Sequence, residues 1–266
     1  MFEKLIIGAV AGDIIGFSHR GKKPDPYGFP IFSDNPTDFT SDSILTIAVM
    51  DSLINDRDYS QSLKNYGRKY PGKMYGPTFT RWLRQDEPKP YHSWNNGAAL
   101  RVSPVGYAAR TVSEAFDESL KCAGVSHNHP DGIKGAQAIA LCVFLSKNGR
   151  TKEEIRNFIE TTFGYNLQRT IEEIRPDYYY DQSAEGSVPE AIIAFLESSD
   201  YESALRLVIS LGADSGSLAC MTGGIAQAFY KEIPFHITKR VTEQLFPDLF
   251  DTIAKFSEKY PLSLFY

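Results

Sequence analysis

An all-α fold is what this sequence predicts, and three observations carry the prediction. Apolar residues recur at helical spacing, as at Ile44, Leu45, Ile47, Ala48, Leu53 and Ile54. Helix starts are marked by cap chemistry, as where Thr151 precedes Lys152-Glu153-Glu154 and places acids in a first turn. Alternating β-branched runs with hairpin turns are missing, and so is a βαβ rhythm. With no internal repeat and no linker, residues 1–266 read as a single domain of a dozen or more helices, long enough to bury a sizeable core.

Composition narrows the class. Hydrophobic residues at 42% and charged residues at 23% fit a soluble globular chain and exclude a disordered or membrane-embedded one. The net charge of −5, with Lys and Arg scattered, argues against a dedicated nucleic-acid surface and leaves a nucleotide-sized ligand open. Cys122, Cys142 and Cys220 lie in apolar helical runs without metal-type spacing, as expected of buried free thiols in a reducing compartment. No secretory signal and no membrane-length run is evident, so a cytoplasmic location is the expectation.

Taken in order, residues 5–15 form a helix of small and apolar residues in which Gly8, Gly12 and Gly16 let a neighbour approach closely. Asp13 in that setting either caps a neighbouring element or faces inward as a functional polar group. Residues 18–39, with Pro24, Pro26, Gly28, Pro30 and Pro36, predict a long loop that Tyr27, Phe29, Ile31 and Phe32 keep ordered. Helices follow over residues 43–56, 60–68 and 78–85, then a loop over 88–96. Residues 98–110 and 112–123 read as two helices, and a polar loop from Ser126 to Gly132 feeds an apolar helix over 133–145.

A helix starts after Thr151, and a short one spans 167–174 before Tyr178-Tyr179-Tyr180-Asp181 breaks the pattern. Ser187 predicts a cap with Pro189 and Glu190 in the first turn, and Asp200 caps the next helix, which ends near Leu211. Residues 215–229 form a long apolar helix, and 236–260 two amphipathic ones joined at Pro247.

Five polar stretches sit at helix mouths: Thr40 to Ser43, Asn95-Asn96-Gly97, Ser126 to Asp131, Tyr180 to Ser187, and Asp214 to Ser217. Capping explains any one of them. Together they suit convergence on one pocket, where backbone N–H groups meet phosphate and sugar hydroxyls. His127 and His129 lack the Cys or acidic partners of a zinc site; His127 suits a hydrogen-bonding or stacking role in a pocket, and His129, just before Pro130, suits that role and a structural one equally. Neither a nucleophile elbow around Ser187 nor a phosphate-binding GxxxxGK[ST] loop is present.

The chain resembles the ADP-ribosylglycohydrolase family along nearly its whole length. The resemblance rests on Gly8-Ala9-Val10-Ala11-Gly12-Asp13-Ile14-Ile15-Gly16, Phe39 to Ser43, Asn95-Asn96-Gly97-Ala98-Ala99-Leu100-Arg101-Val102-Ser103-Pro104 and Ser126 to Gly132. It continues through Gly186-Ser187-Val188-Pro189-Glu190-Ala191, Gly212 to Ala219 and Gly223-Gly224-Ile225-Ala226. The fold it implies is a single-domain orthogonal multi-helix bundle with a cleft at one end. The activity it implies is removal of ADP-ribose from modified proteins or small acceptors, with a pair of magnesium ions as cofactor.

At the implied metal corners the sequence departs from the family's Thr-Asp-Asp-Thr and Asp-x-Asp-Thr. Thr40-Ser41-Asp42-Ser43 has lost one acid at Ser41, and Asp214-Ser215-Gly216-Ser217 has lost another at Gly216. Thr40, Ser41, Asp42, Asp214 and Ser217 are the candidate metal ligands the resemblance leaves, with Asp42 and Asp214 as the catalytic candidates. Two divalent ions about 3.5–4 Å apart need more charge than two carboxylates bring, so at most one Mg²⁺ is expected. The implied substrate pocket comprises Asp13, Asn96, Gly97, Ala98, Ser103, His127, Asn128 and Gly132, with Gly97 and Ala98 near phosphate and His127 near ribose.

Three functions compete. One is a hydrolase of a glycosidic bond to ADP-ribose with a mononuclear or metal-free site, to which Asp34 or Asp38 could lend an extra acid. Another is a non-catalytic binder of ADP-ribose acting as sensor or regulator. The last is a metal-independent glycosidase acting on another nucleoside or nucleotide.

Overall fold

The structure is a computed structural model, and it describes residues 4–33, 38–55 and 58–262. Asp34, Pro36 and Asp56, named in the sequence reading, lie outside the described residues. The described chain is helical throughout, with a lone antiparallel bridge between Asn95 and Ser183 in place of any sheet. The first half holds α1 (Gly8–Ser18), α2 (Ser41–Ile54), α3 (Tyr59–Lys69), α4 (Pro77–Arg84), α5 (Ser103–Ala108), α6 (Val112–Gly124) and α7 (Pro130–Lys147). The second half holds α8 (Lys152–Phe163), α9 (Ile171–Ile174), α10 (Ala184–Glu197), α11 (Tyr201–Ser210), α12 (Ser215–Tyr230), α13 (Phe235–Thr242) and α14 (Pro247–Lys259). No helix among the described residues is long and apolar enough to cross a membrane.

Helices α1, α7, α10 and α12 are buried along most of their length and form the centre. The tightest pairing is α1 on α12, and small residues make it possible. A Cβ on Gly12 would lie 1.9 Å from the Ala219 carbonyl oxygen, and one on Gly8 2.4 Å from that of Gly223. Backbone therefore packs on backbone. Polar bonds hold α1 in place: the Tyr201 hydroxyl of α11 donates to the Gly8 carbonyl at 2.7 Å, and the Ser215 hydroxyl of α12 to that of Gly16 at 2.8 Å. Helix α1 has no cap of its own at Ile7. Gln227 supplies one from α12, its Oε1 accepting from Ile7 N and Gly8 N and its Nε2 donating to the Leu5 carbonyl. Gly12→Ala is expected to destabilise by about 1–3 kcal/mol through overpacking, with chemical denaturation as the measurement.

Several boundaries differ from the sequence reading: α9 is only Ile171–Ile174, capped by Thr170, α7 starts at Pro130, capped by His129, and two further differences have a definite reason. Residues 98–110 do not form one helix. Pro104 has no N–H to bond the Leu100 carbonyl, so residues 97–101 stay in turns and α5 starts at Ser103. The freed Leu100 oxygen accepts instead from Cys220 Sγ at 3.3 Å and Thr46 Oγ1 at 3.4 Å. Helix α10 starts one turn before Ser187. Ser183 is the cap, accepting from Gly186 N at 2.9 Å, and Asp181 braces it by accepting from Ser183 N at 2.7 Å. Ser187 then lies inside the helix, its hydroxyl donating to the Ser183 carbonyl, and Pro189 also becomes internal.

The described part of the loop over 18–33 is tied down. His19 is buried, its Nε2 3.2 Å from the Ile31 oxygen and its ring edge-on to Phe29. Arg206 donates to the Phe29 carbonyl, and Arg175 to those of Lys23 and Pro24. All three cysteines are free and buried.

Candidate active site

The N-terminus of α2 is built around Asp13. That carboxylate, fully buried on α1, accepts from Thr40 N (2.9 Å), Thr40 Oγ1 (2.7 Å), Ser43 N (3.1 Å) and Ser43 Oγ (2.5 Å). Asp13 thus anchors one helix to the start of another. Burial pushes its pKa up, and the hydrogen bonds from Ser43 and Thr40 pull it back. Thr40 is the α2 cap, its hydroxyl oxygen accepting from Asp42 N.

With α2 held this way, Asp42 meets the start of α12. Ser217 Oγ donates to Asp42 Oδ2 at 2.9 Å, and Ser41 Oγ to Asp42 Oδ1 at 3.2 Å. Ser217 and Gln182 also stand close enough to the Asp214 carboxyl to oppose the rise of its pKa. The two corners therefore face each other across one hydroxyl. Burial raises the Asp42 pKa to about 8, reinforced by the charges of Asp13 and Asp214, against the hydrogen bonds from Ser217 and Ser41. Burial also raises Asp214, while Ser217, Arg20 and Gln182 oppose it. Arg20 Nε stands 3.9 Å from Asp214 Oδ1.

A cavity of about 450 Å³ opens over these residues, within the roughly 300–1,000 Å³ usual for small-ligand sites. Asp13, Thr40, Ser41, Asp42, Asp214 and Ser217 line it together with Asn96, Gly97 and His127. Ala98, Ser103, Asn128 and Gly132 lie outside its lining. Ser103 packs under Gly224, and Asn128 Oδ1 accepts from His92 N at 2.7 Å, fixing the loop over 88–96. Gly132 gives room to the same loop, since a Cβ there would lie 2.5 Å from the Ser93 oxygen. His129 caps α7, its Nδ1 accepting from Asp131 N. Asn96 is set by its N–H to the Gln182 carbonyl at 2.8 Å and its Nδ2 to Ser187 Oγ at 3.1 Å.

His127 is held by a hydrogen-bonded chain from Arg101 through Ser126. Arg101 Nη2 donates to Ser126 Oγ at 2.7 Å, and that oxygen lies 2.8 Å from His127 Nδ1. Ser126 Oγ thus links the Arg101 guanidinium to the His127 ring and fixes the ring's orientation. Nε2 lies over Gly97, where a Cβ would come within 2.8 Å of it. Burial and then the Arg101 charge hold the His127 pKa well below the usual histidine range. The expected outcome in ¹⁵N NMR is an imidazole that stays neutral as pH falls from 8 to 6.5, where a free histidine is half protonated. A charged ring in that range would contradict it.

The sequence reading missed Arg20, Tyr91, Trp94 and Arg101 as cavity residues, while Gln182 lies in one of its five polar stretches. A signal for Trp94 was at hand in its place beside Asn95-Asn96. Arg20 carries none, because its partner Asp214 is distant in sequence. Backbone strain is a further mark of the site. Met74 and His92, both in the lining, and Ala213, just before Asp214, adopt left-handed φ angles of 63°, 52° and 57°.

The residues do not fit a two-ion magnesium centre. Asp13 has both oxygens taken by hydrogen bonds, Ser41 is neutral, and Gly216 has no side chain. Among the described residues no group of three or more His, Cys, Asp or Glu side chains is placed to hold a metal ion.

The chain is an all-helical bundle with paired polar helix mouths over one cavity, and comparison with known proteins gives its family. The ADP-ribosylglycohydrolase profile matches residues 2–263, and the chain belongs to that family. It is similar to ADP-ribosylhydrolase ARH3 of Danio rerio, at 25% identity over 86% of this chain and 82% of that protein. It is also similar to ADP-ribosylarginine hydrolase Tri1 of Pseudomonas putida (strain GB-1), at 24% identity over 85% of this chain and 68% of that protein. A solved structure described as an ADP-ribosylglycohydrolase-related protein complex shares the fold, with a TM-score of 0.73 at 19% identity over 97% of this chain and 96% of that one.

Proposed function

We propose that the protein hydrolyses a glycosidic bond to ADP-ribose, carried on a modified protein or a small acceptor, with Asp42 and Asp214 as its working acids. The observation that carries this is the Ser217–Asp42 hydrogen bond, which joins the two corners and leaves two buried carboxyl groups in unlike surroundings on one cavity wall. Asp42, pushed up to about 8, holds a proton at neutral pH and gives it to the departing acceptor as the bond to the anomeric carbon breaks. Asp214, beside Arg20, supplies negative charge to the oxocarbenium-like transition state and takes a proton from the attacking water. The His127 ring and the Asn96–Gly97 turn hold the nucleotide, and Phe79, Tyr91 and Trp94 offer aromatic surface for the base.

A second reading is favoured by the lost acids at Ser41 and Gly216: the pocket binds ADP-ribose without cleaving it. Calorimetry with ADP-ribose, with and without Mg²⁺, is expected to show binding that the metal leaves unchanged. Turnover of an ADP-ribosylated arginine substrate decides between the readings. Tight binding without turnover under any metal would sink the hydrolase, and absence of binding would sink both.

A further inference from the structure

The site lacks acids a divalent ion needs, yet it is not short of positive charge. Arg20 lies at the end of α1, on the turn after Ser18, with its guanidinium in the cavity lining. Two contacts orient it: Nε faces Asp214 Oδ1 at 3.9 Å, and Nη2 donates to the Tyr180 hydroxyl at 3.2 Å. The Tyr180 ring lies 5.8 Å below the guanidinium carbon, close enough for a cation–π contact. Its Nη1 donors have no protein partner among the described residues and stay available to a ligand.

Space at the corner fits the same picture. A Cβ at Gly216 would meet only Phe17 atoms at 3.6 Å, an ordinary contact, so glycine is not forced there by crowding. The missing acid is therefore a change of charge at a place that has room for one. A guanidinium beside Asp214 both neutralises that carboxylate and repels a second cation from it.

We propose that Arg20 is the resident cation of this site, standing against Asp214 in place of a divalent ion and donating to ribose hydroxyl or phosphate oxygens of the bound ligand. The ligand part rests on the ADP-ribose reading, while the charge part does not. Arg20 contacts no core residue in these roles and is more than a third exposed, so its removal leaves the fold intact.

The test separates the two parts. Ser41→Asp with Gly216→Asp rebuilds the acids, and Mn²⁺ alone, followed by electron paramagnetic resonance, reports metal binding in that background with and without Arg20→Gln. Gly216→Asp alone serves as a second background should the buried Ser41 change prevent folding. Arg20→Gln is expected to raise Mn²⁺ affinity at least tenfold in either background, and an unchanged affinity overturns the charge assignment. Calorimetry with ADP-ribose is expected to show about tenfold weaker binding for Arg20→Gln in the natural background, partly restored by Arg20→Lys. Equal affinity for the natural protein and Arg20→Gln overturns the ligand role. Failure of the natural protein to bind ADP-ribose ends the ADP-ribose reading, and the Mn²⁺ result still decides Arg20.

Discussion

Asp13→Ala is expected to lower the free energy of unfolding by roughly 3–5 kcal/mol, the range for removing one member of a buried charged network. The change leaves four donors without an acceptor, two of them backbone N–H groups of Thr40 and Ser43. Each buried donor left unsatisfied costs about 1–3 kcal/mol. Relief from desolvating the carboxylate offsets part of this, since burial raises the Asp13 pKa. Asp13→Asn keeps the shape but turns an amide N–H toward donors, so it is expected to fall between the natural protein and the alanine variant. Urea titration measures both. A loss below about 1 kcal/mol for Asp13→Ala would mean that α2 is held by its packing and not by this carboxylate. Because Asp42 rides on α2, ligand binding is expected to weaken in parallel with stability.

Asp42→Asn is expected to reduce hydrolysis by about 10²–10⁴-fold, the usual contribution of a positioned general acid. The pH dependence gives an independent check. An aspartate in the unfolded chain titrates near 3.9, whereas Asp42 in the folded protein titrates near 8. Between those values the folded state keeps a proton that the unfolded state has released. Stability therefore falls as pH rises through that window, by up to about 1.4 kcal/mol per unit for this group. Asn cannot ionise, so the variant is expected to show a flatter profile and to exceed the natural protein in stability near pH 8. A smaller slope remains from Asp13 and Asp214, both also raised by burial. Activity of the natural protein is expected to decline above about pH 8 as Asp42 loses its proton. Identical slopes for the natural protein and the Asn variant would remove Asp42 from the acid role.

What could be read from the sequence was the chemistry that acts over a few residues. Thr151 with Glu154 forms the reciprocal capping pair that its spacing announced, and Asp200 caps α11 in the same way. Pro104 was equally visible, but its effect depends on Leu100 finding partners on α2 and α12. Ser183 and Ser187 compete for one helix start. Ser183 prevails because Asp181 and the Trp94 carbonyl brace the chain before α10, contacts that spacing does not reveal. In the site, the family pattern drew attention to both corners. The Ser217–Asp42 bond spans 175 positions and belongs to the tertiary structure alone. Ser103 and Asn128 matched the same pattern, yet Ser103 packs beneath Gly224 and Asn128 secures a loop.

The glycine contact between α1 and α12 has a consequence for how this cleft can change over time. Asp13 rides on one of those helices, and Asp214 and Ser217 stand at the mouth of the other. Their spacing is set by main chain lying on main chain, not by the length or rotamer of any side chain. Residues at the rim can therefore be exchanged while the frame that presents them stays in register. Selection for a new leaving group, or relaxation of selection on an old one, can act on positions 41 and 216 without a structural penalty at Gly12. The architecture keeps the shape of the cleft separate from the side chains at its rim.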